Sequence, residues 1–255
     1  MKYNIPNYVS LRSWHPWTNE PKAEFTSRDL SLLKQFYPGL KGIGGHTTRQ
    51  YLDYEKAFSN KRNRNIKYFT FVREPISRYL SHFQYQIDIK GNEWTIESFS
   101  NEGRFNNFMV KRLAGCENLE KAILNLKKFD FIGLQEKFNQ SLILLNQIIF
   151  NNSFDIRYES KNVSSSKSKL NFETLNKSLQ DRIINNNKLD LALYDYIISE
   201  IYSTYIRQCP NIKNKELLLE NALKDYHYNP LKFNIIRLWK AYNVYFAEPL
   251  IRKLR

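Results

Sequence analysis

The sequence predicts an α/β fold with a mainly parallel central sheet flanked by helices, and a helical C-terminal region. Three observations carry that expectation. Residues 66–72 are a run of aromatic and β-branched residues, ended by Arg73-Glu74-Pro75, as a buried strand would be. Ile76, Tyr79, Leu80 and Phe83 then recur at helical spacing, with Pro75 suited to the first helical position because its missing N–H costs nothing there. Finally, a helix over 117–128, a strand over 129–134 and a helix over 136–150 repeat the rhythm, and such alternation is typical of parallel sheets.

The remaining elements follow in order. Residues 1–28 read as irregular, because Pro6, Pro16 and Pro21 interrupt any helix. A helix starts at Thr26 or Ser27, either of which can cap it; Asp29 suits its first turn, and Leu30, Leu33 and Phe36 form its apolar stripe. Residues 40–45 read as a short strand ending in glycines, followed by His46. The Ser- and Lys-rich stretch 159–169 lacks periodicity and reads as a mobile loop. Helices are expected near 172–186 and 189–207, parted by Asn185-Asn-Asn187. Residues 214–255 are basic, aromatic and helical in pattern. The expected division is an α/β domain over 1–210 and a C-terminal appendage over 211–255.

Composition narrows the partners. The formal net charge of +14 points to something anionic: nucleic acid, a membrane surface, or an acidic cofactor or glycan. The basic residues are not gathered into one stripe and no recognition motif occurs, which disfavours nucleic acid. Without a G-x-x-x-x-G-K-[ST] motif, a nucleoside triphosphatase is disfavoured too. Cys116 and Cys209 form no CxxC pattern, which argues against a disulfide framework or a zinc site, and no metal is expected. The first residues carry no signal-like apolar core, and no run approaches the roughly 18 apolar residues of a membrane span. The expected location is cytoplasmic.

Arg73 stands where a strand gives way to a helix, the usual place for ligands in open α/β sheets. A helix N-terminus attracts anions, an arginine can fork two hydrogen bonds onto a phosphate, and Ser81 could add a hydroxyl donor. The plainer alternative is that Arg73 and Arg78 pair with Glu74 or solvent.

Here a resemblance adds to the residues. Phe71-Val-Arg-Glu-Pro-Ile-Ser-Arg-Tyr-Leu-Ser81 resembles the R-[DN]-P-x-x-R-x-x-S signature of membrane-type carbohydrate sulfotransferases, heparan sulfate 2-O-sulfotransferase among them. Glu74 replaces the usual Asp or Asn. Gly45-His46, the block 107–115, the block 129–138 and the block 187–194 are similar to further family blocks in the same order, so the likeness spans about residues 38–205. It implies a P-loop-like sulfotransferase fold. It also implies the donor PAPS (3′-phosphoadenosine 5′-phosphosulfate) and an acceptor hydroxyl on a glycan or polysaccharide. By the same likeness Arg73 and Ser81 hold the 3′-phosphate, and His46 is the catalytic base.

The rival histidine is His82, on the polar side of the same helix, and the plain alternative for His46 is a bond to a backbone carbonyl. Lys167, in the Ser/Lys loop, stands where a basic loop of the family contacts the donor; a solvated loop is the alternative. The family's other donor loop, P-K-x-[AG]-[GS]-T-[ST] after a first strand, is degenerate or missing. Pro21-Lys-Ala-Glu-Phe-Thr-Ser27 keeps the spacing, but Glu24 and Phe25 stand where small residues are needed, and it is read as coincidence, as is the strand-like echo at 4–11. Its loss leaves open a catalytically inactive module that binds a nucleotide 3′-phosphate or an acidic glycan. The tail 233–246 could lie on an anionic membrane or pack on the domain; packing is the expectation.

Overall fold

The computed structural model describes residues 8–12, 21–49, 52–58, 66–159 and 170–254, apart from the Lys232 side chain. In chain order the elements are β1 (Tyr8–Leu11), α1 (Ser27–Phe36), β2 (Gly42–Gly45), β3 (Phe69–Val72), α2 (Pro75–Asp88), α3 (Ile96–Ser100), α4 (Phe108–Ala114) and α5 (Leu119–Leu126). They continue with β4 (Phe131–Leu134), α6 (Phe138–Phe150), α7 (Lys177–Asn186), α8 (Lys188–Tyr196), α9 (Ser203–Arg207), α10 (Ile212–Lys224), α11 (Pro230–Tyr242) and α12 (Glu248–Lys253). π-helical segments, Ile197–Tyr202 and Asn243–Ala247, carry α8 into α9 and α11 into α12. The fold is thus mixed α/β and mostly helical. Among the described residues the strands form two parallel pairs, β1–β2 and β3–β4, in place of the one central sheet expected. None of the described helices is long and apolar enough to cross a membrane.

The chain divides into two compact units. The first gathers residues 1–68, 150–159 and 218–255; the second comprises 69–149 and 160–217.

In the first unit β1, α1 and β2 make a parallel β–α–β step, with Tyr8 opposite Gly42 and Leu11 opposite Gly45. Residues 8–11 were expected to be irregular; their alternation of half-buried and buried side chains shows why four residues suffice for a strand. Of the two candidate caps it is Thr26 that caps α1, in a reciprocal box with Asp29. Val9, Leu11, Phe25, Leu30, Leu33, Tyr54 and Ile251 form the core. Beside it Lys22 Nζ meets Glu248 Oε2 at 2.9 Å, both side chains only 3% exposed, and Arg252 Nε meets Glu248 Oε1 at 3.1 Å.

In the second unit β3 and β4 run parallel, with Phe69 opposite Phe131 and Val72 opposite Leu134. The Phe71 ring lies so close to Gly133 that a Cβ there would sit 2.6 Å from it, so only glycine fits. All four β4 residues are buried. A second core joins α2 to α3 and α7 through Tyr79, Phe83, Phe99, Phe105, Leu179 and Ile183. Phe99 and Phe105 stack with centroids 4.3 Å apart.

Candidate functional site

The strand–turn–helix at β3–α2 forms as the sequence indicates. Glu74 is the N-cap of α2: its carboxylate accepts the N–H of Ile76 at 2.9 Å and of Ser77 at 2.6 Å. The longer Glu therefore performs the capping that Asp or Asn usually supplies. One consequence corrects the generic anion-site reading: these two first-turn donors are already taken by a carboxylate. A second acid stands close by, since the Glu74 N–H donates to Glu136 Oε1 at 2.8 Å and the Tyr194 hydroxyl donates to Glu136 Oε2 at 2.9 Å. An anion at this helix must be held by side chains.

Two side chains suit that role. Arg73 is half-buried at the C-terminal end of β3, and its guanidinium has no acceptor among the described residues. Ser81 is exposed on α2, one turn beyond the exposed Ser77 and away from the buried Tyr79, Leu80 and Phe83. Both stand on the same strand–helix step, so an incoming phosphate need not break a bond from either to another described residue.

The second arginine of the motif has another task. Arg78 is partly buried, donates to the Phe105 carbonyl and to Asn187 Oδ1, both at 3.4 Å, and lies over the Phe108 ring at 4.9 Å. Burial pushes its pKa down, against the opposing charge of Asp190. Asp190 is fully buried and accepts the N–H of Met109 at 2.9 Å and of Val110 at 2.8 Å, so it caps α4. In return Asn107 Oδ1 accepts the N–H of Leu189 at 3.0 Å, at the start of α8. Two helices thus cap each other, with Arg78 set between them. Burial pushes the Asp190 carboxyl up, while the two N–H donors and Arg78 pull it back. Neither Asn107 nor Asp190 was marked as a partner in the sequence; the only signal was that the blocks 107–115 and 187–194 both stood out.

His82 is not a free base. Its ring packs edge-on against Phe105 at 4.9 Å, and its Nε2 lies 3.0 Å from Gln86 Nε2. Burial, then the charges of Arg78 and Arg104, push its pKa from 6.5 down to about 4. The unfolded chain therefore binds the extra proton between those values. The stability His82 contributes is complete above about pH 6.5 and is lost as pH falls toward 4. Because the ring is partly exposed, about 1 kcal/mol is expected. A urea midpoint that falls over this window, and falls less in His82→Phe, would show it; parallel pH profiles would refute it.

His46 belongs to the first unit, in the turn that follows β2, and is exposed. Its backbone is clamped. The His46 carbonyl accepts from Arg49 Nη1 at 2.6 Å, and the next residue, Thr47, accepts the Phe25 N–H at 2.9 Å through its carbonyl. Gly45 is needed for this geometry, because a Cβ there would stand 2.0 Å from the Leu11 carbonyl oxygen. Gly45→Ala should therefore cost about 2 kcal/mol, a typical overpacking penalty, read as a lower denaturation midpoint. An unchanged midpoint would show that the β1–β2 contact yields easily. Lys167 lies outside the described residues.

The Pro21–Ser27 segment does enter a helix after a strand, but it holds no phosphate cradle. Lys22 is buried against Glu248, and burial pushes its pKa down. Phe25 is fully buried, Glu24 pairs with Arg49 at 2.9 Å, and Asp29 accepts both the N–H and the hydroxyl of Thr26. A phosphosulfate would meet carboxylates and a phenyl ring. Lys22 instead pairs with Glu248 beside the core of the first unit. Among the described residues no cluster of three His, Cys, Asp or Glu is placed to hold a metal ion.

The chain is 26% identical over 183 residues to heparan-sulfate 6-O-sulfotransferase 3-B of Danio rerio, covering 53% of this chain and 42% of that protein. It is 25% identical over 194 residues to heparan-sulfate 6-O-sulfotransferase 2 of Gallus gallus, covering 57% and 46%. The chain spans less than half the length of these relatives. No family model and no solved structure matches it. This distant similarity supports the carbohydrate sulfotransferase family. It does not support the 2-O type suggested by the motif, since both relatives are named as 6-O enzymes.

Proposed function

We propose that this chain is a sulfotransferase that moves a sulfuryl group from PAPS to a hydroxyl of a glycan. The observation that carries the proposal is the pair Arg73 and Ser81: an arginine without an acceptor among the described residues at the end of a parallel strand, and an exposed hydroxyl on the helix that follows. These are the positions the motif assigns to the donor's 3′-phosphate, and the similarity to heparan-sulfate 6-O-sulfotransferases supports the family reading on which that assignment rests. In the reaction His46 takes the proton of the acceptor hydroxyl as its oxygen bonds to sulfur. The sulfur–oxygen bond to the nucleotide breaks, and the electron pair leaves with adenosine 3′,5′-bisphosphate. Positioning and fixed positive charge supply the catalysis, as in phosphoryl transfer. The excess positive charge of the chain suits this donor and an acidic glycan.

One observation favours a second reading. Lys22, the lysine whose spacing fits the family's 5′ loop, is locked to Glu248, so the chain could bind the nucleotide without transfer. Titration with adenosine 3′,5′-bisphosphate, beside a sulfate-transfer assay from PAPS to heparan-type and other glycans, separates the two. Binding with transfer supports the enzyme, binding alone supports the module, and absence of binding removes both. His46→Ala should lower turnover about 100-fold or more, the usual worth of a general base, and leave bisphosphate affinity unchanged. Full turnover in that variant would remove His46 from the mechanism.

A further inference from the structure

The C-terminal helices of the first unit have two contrasting sides. Asn243, Val244, Ala247 and Ile251 are buried, so one side packs within the unit. On the other side Leu231, Ile235, Leu238, Tyr242, Phe246 and Leu250 recur every three or four residues. Their exposures are 75%, 66%, 72%, 50%, 64% and 46%. Trp239, Tyr242 and Phe246 stack in a ladder with centroids 6.0 Å apart at each step. The Trp239 ring also meets Tyr37 edge-on at 4.9 Å, and with Phe36, Pro38 and Leu40 it lines a shallow apolar recess that extends the stripe. Scattered surface leucines need no explanation, but a continuous stripe of this length marks a contact surface.

Charge selects the occupant. Over residues 229–254 the sequence places Lys232, Arg237, Lys240, Arg252 and Lys253 against a single acid, Glu248, which is buried and paired within the unit. Arg237 and Lys253 are exposed. We propose that this face docks on an anionic lipid surface. The apolar stripe enters the boundary between headgroups and acyl chains, and Arg237 and Lys253 meet the lipid phosphates. Trp239 and Tyr242 suit headgroup depth, where a ring is half apolar and half wet. A second copy fits less well, because a twofold contact would set these cations against their own counterparts on a chain of net charge +14. The inference is independent of sulfuryl transfer.

Co-flotation of the full chain with phosphatidylcholine vesicles, with and without phosphatidylserine, tests it. Binding should require phosphatidylserine and weaken as salt is raised. Ile235→Glu with Leu238→Glu should lower vesicle affinity about tenfold or more, through loss of buried apolar area. Arg237→Glu with Lys253→Glu should lower it about tenfold and flatten the salt dependence. All four residues are exposed, so the denaturation midpoint should not move; light scattering on the same samples reports the oligomeric state. Absence of binding, or equal binding to both vesicle types, would overturn the proposal. So would a dimer that the Ile235→Glu and Leu238→Glu changes dissolve, since it would assign the face to a second copy.

Discussion

Asp190→Ala is expected to lower the stability of the chain by about 2–5 kcal/mol, since each buried donor left without a partner costs about 1–3 kcal/mol. The carboxylate accepts two backbone N–H groups of α4 and opposes the partly buried Arg78. Alanine leaves those donors without a partner and removes the Asp190 charge that opposes the guanidinium. Asp190→Asn keeps one acceptor oxygen and should cost less. A double variant, Asp190→Ala with Arg78→Met, should cost less than the two single changes added together, because it removes both charges at once. Urea midpoints of the four proteins measure the coupling. Additive losses would mean that Arg78 and Asp190 do not act as a pair.

Arg73→Ala should do the opposite: change binding and leave stability alone. The guanidinium has no acceptor among the described residues, so its removal breaks no bond recorded there. If it forks onto the 3′-phosphate, bisphosphate affinity should fall by about 1.5–3 kcal/mol, or roughly tenfold to a hundredfold, the range for hydrogen bonds to charged groups. Ser81→Ala, which deletes one hydroxyl donor, should cost about 1 kcal/mol. Isothermal titration with adenosine 3′,5′-bisphosphate reads both. Unchanged affinity in Arg73→Ala, with an unchanged denaturation midpoint, would take Arg73 out of the site.

Local structure was the most legible part of the sequence. The apolar run at β3, Pro75 at the start of α2 and the cap candidates Thr26 and Ser27 at α1 are signals written within a few residues, and each element formed there. The division of the strands into two parallel pairs, where one central sheet was expected, was not legible, because hydrophobic alternation announces strands without saying which strands pair. The mutual capping by Asn107 and Asp190 joins residues some 80 positions apart, at 81 for Asp190 to Met109. No spacing rule links them. Glu74 shows a finer limit: Pro75 marked where the helix begins, but the capping by Glu74 and its effect in occupying the helix donors required the geometry of its carboxylate. Lys22 shows the reverse, since an apparent motif lysine was set aside for its bulky neighbours and the ion pair with Glu248 supplies a separate reason.

The first unit is assembled from distant parts of the chain: Ile251 shares a core with Val9, Leu11 and Phe25, and Glu248 neutralises Lys22. During synthesis, β1 and α1 emerge long before the residues that complete their core. Until then Val9, Leu11 and Phe25 lack part of their cover and the Lys22 ammonium lacks its counter-charge. Contacts of such long sequence separation close slowly, since a long loop must be ordered before they form. The second unit, built largely from the middle of the sequence, has no such wait. The early segment is therefore where a chaperone would be needed most, and where a stalled ribosome would leave the chain most open to aggregation.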